Sequence, residues 1–356
     1  MTVVRQRNTG LDMAKAVLFL LVPITHILRP ILMTNLTLMQ VVMIPDSALM
    51  LVYFALSGYT FHPGRRSWAE NVKRRFFQLM VPWILWTLAD VVICTAYNML
   101  SGTYSLQESL LGAWQAFLTN YGFPEAAITT AAAVDFYSGQ IAFWFLPQMF
   151  AADLVFFALA GLVERSVPKT LLVSAVLLTL TGALNTYLPG DLPFTLEETF
   201  AYAAIMLLGC LAGRAHLLEE KPLKGWWFAF SLVFCLALLV LIRLTDASYE
   251  NWGNQQIGSV FVQVLCASLL MYPAVFGCRE LGRVCPPFER AFVWLGKHTL
   301  DLLLAHMPIC VLLRKLPFLQ DTESLAIDLV VLVLTFALCI VYSMVKDAIC
   351  KKAGKG

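Results

Sequence analysis

The sequence LDMAKAVLFLLVPITHILRPILM, residues 11–33, is as long as a membrane span and yet carries four ionisable side chains. These side chains are Asp12, Lys15, His26 and Arg29. An ionisable group at membrane depth is costly unless it is paired or faces a cavity, so such residues by default indicate a functional site. The stretch therefore predicts a membrane helix whose ionisable side chains form part of a functional site.

The spacing of the four side chains places them on one side of that helix. Eleven residues bring the helical wheel to within about 20° of three full turns, so Lys15 and His26 share a face and lie roughly 16 Å apart along the axis. Asp12 and Arg29 fall on the same side, inside an arc of roughly 100°. Pro23 precedes His26 and predicts a kink there. The pattern indicates one wall of a cleft, with a charge pair near one membrane surface and a titratable base deeper.

Each of these residues also has a simpler interpretation. Asp12 and Lys15 at a helix start are typical of a capping carboxylate and a snorkelling amine. A single membrane histidine is often a hydrogen-bonded structural residue. Their shared face favours a functional site over these separate explanations.

The composition defines the class of protein. The chain has 356 residues, of which 59% are hydrophobic and 13% charged. Soluble domains carry about 25% charged residues, so this chain lacks the polar surface of a soluble globule. We expect one polytopic membrane domain over residues 1–356, with membrane lipid as a partner and no nucleic acid. Nine cysteines without a CxxC pair behave as small hydrophobes, so we expect no metal site.

Ten apolar runs are long enough to span a membrane. Only helices and closed barrels satisfy every backbone polar group in lipid, and continuous rather than alternating runs argue against a barrel. We therefore predict an all-α protein of about ten transmembrane helices. The runs are 11–33, 40–61, 77–99, 141–163, 168–188, 194–213, 225–244, 256–277, 296–314 and 324–345.

The distribution of Lys and Arg predicts the orientation. If the N-terminus is cytoplasmic, only Arg29, Arg243, Arg314 and Lys315 of the 25 Lys and Arg residues lie on the outer side. This bias predicts an N-in, C-in topology. No Lys or Arg occurs in residues 76–164, so the segment 100–140 is placed outside. Its stretch SLLGAWQAFL, residues 109–118, has the spacing of a helix lying along the interface.

The segment after the second run is strongly basic. The sequence SGYTFHPGRRSWAENVKRRFFQLMVPW, residues 57–83, begins with Ser57 and Tyr59. Ordinary positive-inside charge explains many such loops. The alternative is a site for the phosphates of a cytosolic cofactor, because arginine and lysine are good phosphate donors. The basic residues concerned are Arg65, Arg66, Lys73, Arg74 and Arg75.

Polar residues in later runs extend the set of candidates. Trp144, in FWFLP at residues 143–147, is typical of an interfacial aromatic belt but also stands at the start of a run. Asp301 and His306 lie inside the ninth run, and His306 either lines the same cleft or braces a neighbouring helix. Asp90 and Asp153 lie mid-span, so each needs a partner, a proton or water.

Five motifs in this order resemble the acyltransferase 3 family of integral membrane O-acyltransferases, most closely its fucose 4-O-acetylase-like branch. They are LDMAKAVLFLLVPITH, SGYTF, KRRFFQLMVPW, FWFLP and LGKHTLDLLLAHMPI, and they cover essentially the whole chain. The family pattern of a basic residue, ten residues and a catalytic histidine maps onto Lys15 and His26. Its RxxR motif maps onto Arg75 and Gln78, with Arg74 alongside, so the second arginine is absent here.

The resemblance implies acyl transfer across a bacterial cytoplasmic (inner) membrane. The donor would be cytosolic acyl-CoA, usually acetyl-CoA, and the acceptor a hydroxyl of an extracytoplasmic sugar or glycan. A neutral imidazole can remove the hydroxyl proton during attack on the thioester, which gives His26 the role of general base. The acyl group either passes directly or first rests on His26.

The resemblance also suggests roles for the other candidates. Asp12 and Lys15 would shape the cofactor entrance. The CoA phosphates would contact Arg74 and Arg75, with Lys73, Arg65 and Arg66 nearby. The candidates for the substrate cleft are Arg29, Ser57, Tyr59, Trp144, Asp301 and His306.

A transporter or exporter subunit for a saccharide or lipid-linked glycan is the alternative function. Charged residues at mid-span also mark substrate and proton pathways. Against it, the halves of the chain show no internal symmetry and no paired Gly- or Pro-broken runs of the kind transporters have. The sequence makes no prediction of the oligomeric state.

Overall fold

The regular secondary structure of the described residues is entirely helical. The structure is a computed structural model that describes residues 8–34, 50–120, 130–133, 143–188, 192–218, 229–234, 236–237, 257–320 and 324–353. Within these ranges no strand occurs, so the all-α prediction is confirmed for this part of the chain.

The main helices are numbered in chain order. They are α1 (Thr9–Thr34), α2 (Met50–Thr60), α3 (Trp68–Arg75), α4 (Val81–Ser101), α5 (Leu106–Asn120), α6 (Phe145–Leu159), α7 (Gly161–Arg165), α8 (Val167–Tyr187), α9 (Thr199–Arg214), α10 (Ile257–Val284), α11 (Pro286–Arg314) and α12 (Leu325–Ala353). A π-helical turn, Phe76–Met80, joins α3 to α4, and 3-10 turns lie at Pro193–Glu198 and Pro317–Leu319.

Seven helical segments of the described residues are long and apolar enough to cross a membrane, and they coincide with seven of the ten predicted runs. These segments are Thr9–Leu28, Trp68–Ser101, Phe145–Arg165, Val167–Tyr187, Leu196–Arg214, Gln263–Val284 and Leu325–Lys352. The chain is therefore a multi-pass membrane protein.

The other three predicted runs have different outcomes. The run 40–61 is described only from residue 50, as α2, and most of the run 225–244 lies outside the described residues. The run 296–314 lies within α11, a continuous helix that is not among the seven segments.

Two helix boundaries extend well beyond the apolar runs. The hydroxyl of Ser67 accepts a hydrogen bond from the Glu70 amide at 3.3 Å, and the Glu70 carboxylate accepts one from the Ser67 amide at 2.8 Å. This capping box starts α3 inside the basic loop. Cys285 alone separates α10 from α11, because Pro286 suits the first turn of a new helix but cannot continue the old one. Most of the basic segment between the runs 256–277 and 296–314 is therefore helical as well.

Glycines allow the closest contacts between helices. A Cβ at Gly296 of α11 would overlap the backbone of Asp12 in α1, and one at Gly209 of α9 would overlap the carbonyl of Ala55 in α2. Small residues of this kind let membrane helices approach through their backbones. The α1–α11 contact, flanked by α10 and α12, and the α2–α9 contact, flanked by α6 and α8, form the centre of the bundle.

A hydrogen-bonded chain joins three helix ends at one side of the bundle. The Asn8 side-chain amide, before α1, donates to the Leu218 carbonyl at 3.1 Å, and the Leu218 amide donates to the Tyr59 hydroxyl at 3.2 Å. The start of α1, the end of α2 and the segment after α9 therefore meet here. We call this side the basic end, because the arginines of residues 61–75 lie next to it.

Candidate functional site

A cavity of about 590 Å³ enters the bundle from the basic end between α1, α2, α3, α6 and α11. Along α1 the lining runs inward from Lys15 to Val22, and along α2 it runs inward from Thr60 to Met50. Its inner part is largely apolar, with Phe19, Val22, Met50, Phe145, Met149, Leu300 and Leu303 in the wall. A long, uncharged group could therefore occupy the inner part while a charged group stays at the mouth.

The mouth of the cavity carries polar and cationic side chains. Arg65, Arg66 and Arg74 line it and are exposed, as is His62, whereas the lining residue Asn71 is half-buried. Lys73 is also exposed but does not belong to the lining. Neighbouring positions on a helix point about 100° apart, which separates Lys73 from Arg74.

Arg75 lies deeper than the other arginines and is engaged by the protein itself. Its Nε lies 2.8 Å from Oδ2 of Asp153, and its guanidinium also donates to the Ser57 hydroxyl. All three residues line the cavity, and Asp153 is buried. The expectation that Asp153 needs a partner is confirmed, and the charge of Arg75 is largely compensated.

The π-helical turn begins directly after this ion pair. It spans Phe76–Met80 and puts Gln78 and Leu79 into the cavity wall. Single π turns inside α-helices often occur at functional sites, because the extra residue changes the direction of neighbouring side chains. Gln78 stands where the family pattern has its second arginine, so the wall here has an amide in place of a cation.

Lys15 lines the cavity, whereas Asp12 does not. The hydroxyl of Tyr53, another lining residue, donates to the Lys15 carbonyl at 2.6 Å and ties α2 to α1 at this level. Asp12 is buried one turn nearer the basic end, at the α1–α11 contact next to Gly296.

His26 and His306 face each other one helical turn beyond the inner end of the cavity. His26 follows the lining residue Val22 by four positions, and His306 follows the lining residue Leu303 by three. Their ring centroids are 5.9 Å apart with planes at 33°. Phe19 lines the cavity and makes an edge contact with His306 at 6.2 Å, so its ring contacts both the cavity and this histidine.

Four of the predicted cleft residues lie outside the cavity lining: His306, described above, and Tyr59, Trp144 and Asp301. Tyr59 holds the segment after α9, as described above, and Trp144 makes an edge contact with Phe145. Asp301 forms an ion pair with Lys346 of α12. Ser57 does line the cavity, and the side chain of Arg29 lies outside the described part of the structure.

A comparison with protein families decides the class. A model described as an acyltransferase domain matches residues 8–344, which is nearly the whole chain. The chain belongs to the acyltransferase 3 family. No curated protein and no solved structure gives a significant match. The fucose 4-O-acetylase-like branch stays a prediction.

Membership of the acyltransferase 3 family gives the cavity a chemical context, and the structure adds residues that the sequence motifs did not single out. Tyr53, His62 and Asn71 line the cavity, and Asp153, which the sequence marked only as a mid-span carboxylate, anchors Arg75. The S-x-x-E capping box in the sequence indicates the start of α3. A helix at this position predicts that the neighbouring side chains of Lys73 and Arg74 point in different directions. The Arg75–Asp153 pair spans 78 positions and carried no local signal.

Proposed function

We propose that this acyltransferase transfers an acyl group, most simply acetyl, from cytosolic acyl-CoA to a hydroxyl of an extracytoplasmic sugar or glycan. His26 is the general base of this proposal. One observation carries it: in an acyltransferase 3 chain, a cavity runs from an arginine-lined mouth to one helical turn short of His26.

The mouth suits the charged part of CoA. Arg65, Arg66 and Arg74 offer charge-assisted hydrogen bonds to phosphate groups, and arginine suits bidentate contacts. Arg75 contributes differently, since Asp153 and Ser57 already hold it. In this proposal it stiffens the wall where the phosphates end and the uncharged pantetheine arm begins.

The inner part of the cavity suits the pantetheine arm and the acyl group. Lys15 and Tyr53 offer polar contacts at mid-depth, and Phe19, Val22 and Leu303 form the apolar end. A thioester carried to this end comes close to the level of His26. Movement of the Phe19 ring would open the remaining turn.

The chemistry at His26 is that of alcohol activation. One imidazole nitrogen takes the hydroxyl proton while the alcohol oxygen attacks the thioester carbonyl. The carbon–sulfur bond then breaks, the ester forms, and the thiolate of CoA leaves. His26 returns the proton to that sulfur and is neutral again.

The orientation of the chain in the membrane follows from its charges. The positive-inside rule assigns the basic end to the cytoplasm, where acyl-CoA is made. The histidine pair then lies on the path towards the outer surface, where a sugar hydroxyl arrives. We propose the bacterial cytoplasmic membrane as the location.

A titration with acetyl-CoA and with free sugars tests the proposal on the purified protein. Acetyl-CoA should raise the apparent melting temperature in a dose-dependent way, since a ligand that binds only the folded state stabilises it. Stabilisation by sugar alone, with none by acetyl-CoA, would support the transporter alternative instead.

The acceptor is identified in cells. Mass spectrometry of surface glycans from cells with and without the gene should show an acyl mass difference on a sugar. Identical glycan spectra from the two strains, with the protein present in one of them, would contradict the proposed acceptor class.

A further inference from the structure

The hydrogen bonding of His306 defines which of its nitrogens is an acceptor. The Nδ1 atom lies 2.7 Å from the Leu303 carbonyl oxygen. A carbonyl oxygen only accepts, so Nδ1 carries the hydrogen and donates it. A neutral imidazole has one donor and one acceptor nitrogen, which leaves Nε2 of His306 with a lone pair.

That lone pair is buried and has no hydrogen-bond partner among the described residues. His306 has no exposed surface, and Nε2 is among the buried polar atoms without a partner in the described ranges. A buried acceptor without a donor is unfavourable, and each such case in a folded protein calls for an explanation. The unpaired Nε2 atom of His306 therefore points to a hydrogen-bond donor that approaches it.

The ring of His26 is the polar group placed to supply this donor. Its centroid lies 5.9 Å from that of His306. Two imidazoles joined by a direct N–H···N hydrogen bond have centroids about 5 Å apart. An approach of the two rings by about 1 Å closes this difference. Among the described residues, the other aromatic ring in contact with His306 is that of Phe19, which is apolar.

We propose that His306 is a positioning residue for His26. Nε2 of His306 accepts a hydrogen bond from one ring nitrogen of His26, so the other nitrogen of His26 keeps its lone pair for the substrate hydroxyl. This inference rests on the proposed function. It follows the general arrangement in which a third group orients a base by hydrogen bonding to its far nitrogen.

The same contact supports the reaction step. When His26 takes the hydroxyl proton, both of its ring nitrogens carry hydrogens. The lone pair of His306 then accepts a hydrogen bond from the resulting imidazolium. His306 itself is held by the Leu303 carbonyl and by the edge of Phe19, on a helix that packs along α1. A group fixed in this way can hold a base within the narrow geometry that catalysis requires.

Substitutions of His306 separate positioning from bracing. The amide oxygen of a glutamine can reach the place of Nε2, whereas that of an asparagine reaches only the place of Nδ1. We expect His306→Leu and His306→Asn to lower kcat by roughly 10²-fold, with KM for acetyl-CoA within about two-fold. His306→Gln should recover most of the activity at equal protein level.

Each outcome bears on the inference. Wild-type kcat in His306→Leu would overturn it, and so would equal activity of the asparagine and glutamine variants. If the leucine variant does not accumulate in membranes, the two amide variants still decide, because they have matched polarity. Full activity of His26→Ala would instead remove the proposed function, so the two failures are distinguishable.

Discussion

Removal of Arg75 and removal of Asp153 should have unequal effects on stability. The two side chains form one ion pair, but their surroundings differ. The side chain of Asp153 is 1% exposed, whereas that of Arg75 is 24% exposed at the cavity wall and also bonds Ser57. Arg75→Met leaves a buried carboxylate without its cation. Asp153→Ala leaves a guanidinium that can still reach water in the cavity.

The burial of each remaining side chain determines how large this difference in stability should be. Leaving one partner of a buried ion pair uncompensated costs about 3–5 kcal/mol, which we expect for Arg75→Met. A hydrogen bond to a charged group contributes about 1.5–3 kcal/mol, and this is the upper bound we expect for Asp153→Ala, because the guanidinium of Arg75 can still be hydrated. The double variant should be more stable than Arg75→Met alone, because no charge is left stranded. Its coupling energy should reach about 1–3 kcal/mol.

The assay is reversible unfolding of the purified protein in mixed micelles during an SDS titration. The pair Lys346–Asp301 is the control, because its side chains are 44% and 18% exposed. Exposed ion pairs contribute about 0–1 kcal/mol, so Lys346→Met should have a small effect. Equal losses in Arg75→Met and Asp153→Ala, with additivity in the double variant, would contradict a buried Asp153 that depends on the charge of Arg75.

Two further predictions concern the cavity mouth and the helix contacts. Arg74→Ala should weaken acetyl-CoA binding roughly 10- to 100-fold by isothermal titration calorimetry, because a charged hydrogen bond contributes about 1.5–3 kcal/mol, whereas Lys73→Ala should bind as the wild type does. Equal affinities would return Arg74 to the positive-inside explanation. Gly209→Ala should destabilise the protein by about 1–3 kcal/mol in the SDS titration, since its Cβ would overlap the Ala55 carbonyl, whereas Gly161→Ala has open space around it. Equal stability of the two glycine variants would contradict the close α2–α9 contact.

Hydropathy predicts the helices well because nearly every residue of a membrane span has to be apolar. The predicted helix boundaries are less accurate because helix ends depend on local chemistry outside the apolar run. The capping box at Ser67 starts α3 among charged residues, and Pro286 ends one helix and begins the next. Both signals are visible in the sequence, but hydropathy does not include them.

The site was predictable where one helix carries it. Eleven-residue spacing placed Lys15 and His26 on one face of α1, and the structure puts Lys15 in the cavity wall and His26 one turn beyond its end. Contacts between distant segments were not predictable in this way. Asp153 and Arg75 lie far apart in the chain, and nothing local to either residue indicates the other. The histidine pair likewise depends on how α1 packs on α11.

The most direct test of the account is the acyl-transfer rate of His26→Ala in a single turnover with labelled acetyl-CoA, in membranes with matched protein levels. His298→Ala is the control, because His298 contacts Trp294 and Asp347 and does not line the cavity. If His26 is the general base, the rate should be roughly 10²–10⁴-fold lower for His26→Ala, with unchanged acetyl-CoA affinity and a normal rate for the control. A wild-type rate in His26→Ala would contradict that role.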